Sequence, residues 1–170
     1  MLATQLAKNE GLMVLATTRN AAKKPLLLAN GADYVLIDEG SLQDQVKAIF
    51  PAGVDKALEL VGANTLQDSL HCLKPGGTAC MTGMLSETWS IPNFAPMEFI
   101  PATVNLTIYD SGQIRSSPDV FQQFIETVEM GEIKLNVSQT FRLDDIAKAH
   151  QLMEQNQAGG KIVVLNIGSE

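Results

Sequence analysis

Residues 12–19, Leu12-Met13-Val14-Leu15-Ala16-Thr17-Thr18-Arg19, begin as an unbroken apolar run and end on two hydroxyls and a guanidinium. An apolar run of this length, without polar alternation, reads as a strand from Leu12 to Thr17 buried on both faces, the habit of parallel sheets. Gly11 before it suits the C-terminal cap of a preceding helix. Moving outward, Tyr34–Ile37 predicts a second strand and Ala57–Val61 a third, each short enough for a sheet interior. The helix between them takes Ser41 as its N-cap and sets Leu42, Val46, Ile49 and Phe50 on one face before Pro51 stops it.

The alternation continues to the end of the chain. Asn64 followed by Gln67 resembles a capping box, and Leu66, Leu70 and Leu73 form the buried stripe of a helix ended by Pro75-Gly76-Gly77. A fourth strand is expected from Thr78 to Met84 and, after an irregular stretch holding Trp89, Pro92, Pro96 and Pro101, a fifth from Thr103 to Tyr109. Ser117-Pro118 caps and opens a helix whose face is Phe121, Phe124, Ile125 and Val128. A composition shift at Gly131-Glu132 predicts a boundary. Beyond it come a strand from Val137 to Phe141, a helix capped by Asp144 and a last strand from Lys161 to Ile167. Pro25 lies inside the pattern Ala21 to Asn30, so that helix is expected to start near Lys23 or Lys24, leaving the proline in its first turn. Strands alternating with helices define an α/β doubly wound parallel sheet.

At 170 residues and 45% hydrophobic content the chain supports one substantial core rather than two full domains. A net charge of −7 disfavours nucleic acid or an anionic membrane as partner, so any phosphate must be held locally. Cys72 and Cys80 have neither disulfide-framework nor zinc-ligand spacing and read as buried thiols. No apolar run reaches the ~20 residues of a membrane helix, and the first residues lack the basic start of a signal peptide, so a soluble cytoplasmic protein is expected.

Ligands of open α/β sheets bind beyond the carboxyl ends of the strands. The first such place is Thr17-Thr18-Arg19, with Lys23 and Lys24 one turn on. An acid here would accept from the 2′-hydroxyl of NAD, whereas these residues suit the 2′-phosphate of NADP: Arg grips it with paired hydrogen bonds, Lys adds a point charge and Thr donates. A solvated helix start accounts for the same residues. Val61-Gly62 with Asn64 forms the second place and Thr82-Gly83-Met84 the third. Each glycine either lets a ligand lie against the main chain or simply makes the turn. Tyr109 either faces a ligand or packs. His71 and His150 read as structural. No nucleophilic set, carboxylate pair or metal cluster is assembled by spacing.

Taken together, the segments LAKNEGLMVLATTRNAAKK (6–24), NGADYVLID (30–38), DKALELVG (55–62), LKPGGTACMTGM (73–84) and TFRLDDIAKAHQLMEQNQAGGKIVVL (140–165) resemble the medium-chain dehydrogenases/reductases. The likeness is to their zinc-independent, quinone oxidoreductase-like branch in particular. The resemblance implies that Thr18 stands where NAD-preferring relatives carry the ribose-binding acid, and that Arg19 and Lys23 contact the adenosine-side phosphate. It also implies that Val61 and Gly62 border the nicotinamide ribose, that Thr82, Gly83 and Met84 line the nicotinamide, and that Ile108 or Tyr109 lies beside it. The sequence departs from the family at its start: the first strand, the glycine-rich turn and the N-terminal catalytic domain have no counterpart in it.

The expectation is therefore a Rossmann-like domain lacking its first strand at residues 1–132, with an annex at 133–170. It is read as the NADP(H)-binding portion of an oxidoreductase acting on a quinone, enone or other carbonyl or alcohol, homodimeric and inactive by itself. No catalytic or metal-ligating residue is assigned. A missing central strand leaves a gap or an exposed edge. The rival readings are a non-catalytic nucleotide-binding or dimerisation module and a methyltransferase-like domain binding S-adenosylmethionine.

Overall fold

The computed structural model describes residues 1–113, 116–155 and 157–166; Ile167, the expected end of the last strand, lies outside them. In chain order the elements are α1 (Leu2–Asn9), β1 (Leu15–Thr18), α2 (Lys24–Ala29), β2 (Tyr34–Ile37), α3 (Gln43–Ile49), β3 (Val54–Glu59), α4 (Ala63–His71), β4 (Leu73–Met81), α5 (Pro96–Phe99), β5 (Asn105–Ile108), α6 (Pro118–Glu129), β6 (Val137–Arg142), α7 (Ile146–Glu154) and β7 (Lys161–Leu165). They fall into two compact units, one formed by Leu15–Lys24 and Tyr34–Ser117, the other by Met1–Val14, Pro25–Asp33 and Pro118–Glu170.

The first unit holds two parallel sheets, β1-β2 and β3-β4-β5. In a doubly wound sheet the second and third strands lie on one side of the first, and the fourth to sixth on the other. The two hydrogen-bonded groups match those flanks, and no described strand occupies the central place. Both sheets nonetheless share a core, because Leu15, Leu36 and Val54 all pack on Leu42, Val46 and Cys72. A larger cluster of Leu66, Leu70, Leu73, Ala79 and Phe99 fills the space between α4, α5 and the three-stranded sheet. Burial pushes the Cys72 thiol up to about 12, with Asp68 adding to the rise, so this cysteine is a packing group.

The second unit pairs β6 with β7 in parallel and covers them with α7. Its buried polar centre is Gln5. The Gln5 amide reads the main chain of Lys134 in both directions, donating to its carbonyl at 3.0 Å and accepting from its N–H at 2.8 Å. It also donates to Asn30 Oδ1 at 2.9 Å.

Several boundaries differ from expectation for identifiable reasons. β1 starts at Leu15, and Leu12 and Met13 stay exposed. The helix with Pro25 begins as a 3-10 turn over Ala21–Lys23, capped by Asn20 Oδ1 accepting from Ala22 N–H, so the proline falls in the first turn of α2 as expected. Ser41 does not cap α3; the N–H of Leu42 donates instead to Asp68 Oδ2 at 2.7 Å. Nor does Asn64 cap α4, whose cap residue is Gly62. Leu73 opens β4 rather than closing the α4 stripe, and Pro75-Gly76-Gly77 lie within β4 as an excursion. The pairing accordingly jumps from Val54↔Leu73 to Lys56↔Thr78. Asp144 sits in a 3-10 turn ahead of α7 and makes no capping bond.

Candidate functional site

The carboxyl ends of β1 and β2 form one candidate region. Thr18 pairs with Ile37, and the N–H of Asp38 donates to the Thr18 carbonyl at 3.0 Å, which brings the two strand tips side by side. The Thr18 hydroxyl accepts from Asn20 N–H at 3.1 Å and reaches the Asn20 carbonyl at 3.4 Å, a weak donation that leaves its proton available. Thr17 and Arg19 are exposed and Lys23 is half-buried. No described ion pair joins a carboxylate to Arg19 or Lys23; Lys8–Asp33, Lys74–Asp55 and Lys148–Asp145 lie elsewhere. The acid nearest in topology, Asp38, turns its carboxylate into its own loop and accepts from Gly40 N–H at 3.0 Å.

The second region is made by the tips of β3, β4 and β5. Glu59, the last residue of β3, is only 4% exposed. Its Oε1 accepts from the N–H groups of Val61 at 2.7 Å and Gly62 at 3.1 Å and from Thr65 Oγ1 at 2.9 Å. Its Oε2 accepts from Ser69 Oγ. The Glu59 carbonyl in turn accepts from Thr82 N–H at 2.8 Å and Thr82 Oγ1 at 3.1 Å. One residue therefore ties the β3–α4 turn to the end of β4.

The glycines let the two tips close on each other. Gly62 has φ 108°, and a Cβ there would stand 3.1 Å from Met84 Sδ. A Cβ on Gly83 would meet the Leu60 carbonyl at 2.6 Å. Leu85 and Ser86 N–H groups donate back to Leu60 and Val61 carbonyls at 3.2 and 2.9 Å. Tyr109 joins through its N–H, which donates to the Met81 carbonyl at 2.9 Å, and its side chain remains exposed beside that of Ile108. Val61, Gly62, Thr82, Gly83, Met84 and Tyr109 thus come together, while Thr17, Thr18, Arg19 and Lys23 belong to the β1–β2 tip.

Glu59 is the residue that sequence reading passed over. Its signal was visible: a lone acid inside the apolar run Ala57–Val61, with hydroxyls at Thr65 and Ser69 spaced one helical turn apart. A carboxylate removed from water needs several donors, and those two sit on one side of α4. Neither histidine joins either tip by a described contact; His71 Nδ1 contacts the Gln67 carbonyl at 2.8 Å within α4. No group of three or more His, Cys, Asp or Glu among the described residues is placed to hold a metal ion. A shallow open groove over β6 and α7, lined by Gln139, Phe141, Lys148 and Gln151, contains none of the predicted residues. No helix among the described residues is long and apolar enough to cross a membrane.

Parallel strands wound with helices, with glycine-bearing turns gathered at the carboxyl ends, define an α/β protein of Rossmann-like type. Residues 30–164 match the sequence pattern of the family described as zinc-binding dehydrogenase, and the chain belongs to that family, within the C-terminal portion of the medium-chain dehydrogenase/reductase superfamily. It is 28% identical to a probable quinone oxidoreductase of Schizosaccharomyces pombe, over 97% of this chain and 51% of that protein. An alcohol dehydrogenase of Cupriavidus necator is 30% identical over 86% of this chain and 40% of its own length. A mycobacterial protein solved in complex with NADPH superposes with a TM-score of 0.79 at 26% identity, over 95% of this chain and 51% of that one. The chain spans about half the length, or less, of these relatives.

Proposed function

We propose that this chain is the cofactor-binding portion of an NADP(H)-dependent oxidoreductase that moves hydride between nicotinamide and a quinone, enone or other carbonyl or alcohol substrate. The observation that carries the reading is the β1 tip, where Arg19 and Lys23 stand free of carboxylates at the place where an acid would select NAD. The relatives' names support oxidoreductase chemistry, and the NADPH complex of a structural neighbour supports the cofactor class.

The residues present fit such a cofactor. Arg19 offers paired donors to a 2′-phosphate, Lys23 a point charge and Thr18 a hydroxyl. Gly62 and Gly83 keep the β3–β4 tip flat, so a sugar and a planar ring can lie against Val61 and Thr82. Met84 and Tyr109 supply apolar surface that excludes water from that ring. Bound nicotinamide supplies the hydride chemistry; the protein's part is binding, orientation and electrostatics. No residue of the chain is assigned as acid, base or nucleophile, and turnover by the chain alone is not expected.

The same reading divides the chain into a dinucleotide-binding part, 1–132, and an annex, 133–170, and assigns it to the cytoplasm as a homodimer. Exposed apolar side chains at Leu85, Trp89 and Met97 support association. Calorimetric titration tests the proposal: NADPH is expected to bind at least about tenfold more tightly than NADH, the value of one charge-assisted phosphate contact. No heat from either at millimolar concentration would overturn it in favour of a scaffold.

A further inference from the structure

Glu59 has no structural need to be charged that its surroundings explain by pairing. Its carboxylate is buried and accepts four hydrogen bonds, from Val61 N–H, Gly62 N–H, Thr65 Oγ1 and Ser69 Oγ, none of them from a cation. Donor dipoles and the positive end of α4 stabilise the anion without cancelling its net charge. The other acids near these tips are exposed: Glu87 lies after Met84, and Asp110 turns both its oxygens onto Gly112 N–H and Gln113 Nε2. Two consequences follow. The carboxylate occupies the N–H groups of Val61 and Gly62, the two residues that lead into α4, so neither is open to a phosphate. No cation among the described residues offsets the buried Glu59 carboxylate, and a buried charge is screened less than the exposed ones, so it leaves net negative charge behind the β3–β4 tip.

We infer that Glu59 is a specificity-determining residue of this tip, holding the Val61–Gly62 turn and biasing the adjoining site toward a positively charged ring, the oxidised nicotinamide, relative to the neutral reduced one. The inference rests on the cofactor reading above and adds the redox state that the site prefers. Charge and geometry separate cleanly in Glu59→Gln. The amide keeps an oxygen for Val61, Gly62 and Thr65 and presents its NH₂ to Ser69, whose hydroxyl can rotate to accept.

The test measures the affinities of NADP⁺ and NADPH for the whole chain, with amide exchange at Val61 and Gly62 and thermal unfolding alongside. Glu59→Gln is expected to lower the ratio of NADP⁺ to NADPH affinity about tenfold, the order expected for loss of one weakly screened unit charge near the site, while amide protection stays near that of the parent chain. Asn64→Lys, at an exposed position on α4, is expected to move the ratio in the same direction about twofold to threefold, and keeps the test open should the glutamine variant unfold. A purely structural Glu59 would weaken both cofactor forms alike. An unchanged ratio in a variant that binds both forms overturns this inference alone. Binding of neither form by the parent chain overturns the cofactor reading, and this inference with it.

Discussion

The two strand-tip regions of the unit that holds β1 to β5 are built on opposite plans. At β3 and β4 the polar groups bind one another: Glu59 takes four donors, Thr82 binds the Glu59 carbonyl twice, and a Cβ on Gly83 would stand 2.6 Å from the Leu60 carbonyl oxygen. At β1 the tip is tied by the small turn of Thr18 and Asn20, by Asp38 N–H to the Thr18 carbonyl and by the Asp38 carboxylate to Gly40 N–H, and Arg19 and Lys23 beside it have no carboxylate partner. The first region is closely bonded around a buried carboxylate. The second is open, and its Arg19 and Lys23 carry charge that no carboxylate offsets. On the proposed function, the phosphate end of NADP(H) would lie at the second region and the nicotinamide end at the first.

Substitutions can break the contrast in a definite order. The largest effect is expected from Gly83→Ala, since the new methyl would press on the Leu60 carbonyl, a backbone atom that moves only with β3. Thermal or urea unfolding should register a loss of about 2–4 kcal/mol; a loss below about 0.5 kcal/mol would show that the two tips are not locked. Gly62→Ala should cost less, about 1–3 kcal/mol, the strain of a side chain at φ 108°. At the β1 tip, Asp38→Asn removes the negative charge next to Thr18 while keeping an oxygen for Gly40 N–H, and should tighten NADPH binding about twofold. Weaker binding would place Asp38 on the ligand side of the site.

The smallest effect concerns the residues that lead into β1. Asp33 accepts from Lys8 Nζ at 2.5 Å and from Val14 N–H at 2.8 Å, and these bonds hold its carboxyl below the usual carboxylate range. A lowered folded value means the contribution is present above the unfolded value of about 3.9 and is lost as pH falls through the folded one. Amide exchange at Val14 should therefore accelerate only below about pH 4. Acceleration beginning near pH 6 would contradict the assignment.

The fold class was legible because strand-length apolar runs such as Tyr34–Ile37 need no tertiary information, and β2 has those bounds. Helix ends were less legible. Ser41 and Asn64 have the right chemistry for caps, yet the cap positions fall on Leu42 and Gly62, whose own N–H groups are held by Asp68 and Glu59, side chains brought from other turns by the fold. Local spacing carries no trace of such partners. Leu73 misled for a similar reason: its apolar side chain continues the α4 stripe, but Val54 N–H pairs with the Cys72 carbonyl and draws the chain into β4. For the candidate site, the rule that loops after strands bear ligands directs attention to both tips, whereas the order that Glu59 gives to the β3–β4 tip needed three dimensions.

The β1 tip is where the account is most exposed to test. Arg19→Ala should weaken NADPH binding about tenfold to a hundredfold in calorimetric titration while leaving NADH affinity where it was, because only NADPH carries the phosphate that the guanidinium is assigned to hold. Equal losses for both cofactors, or none for either, would contradict it.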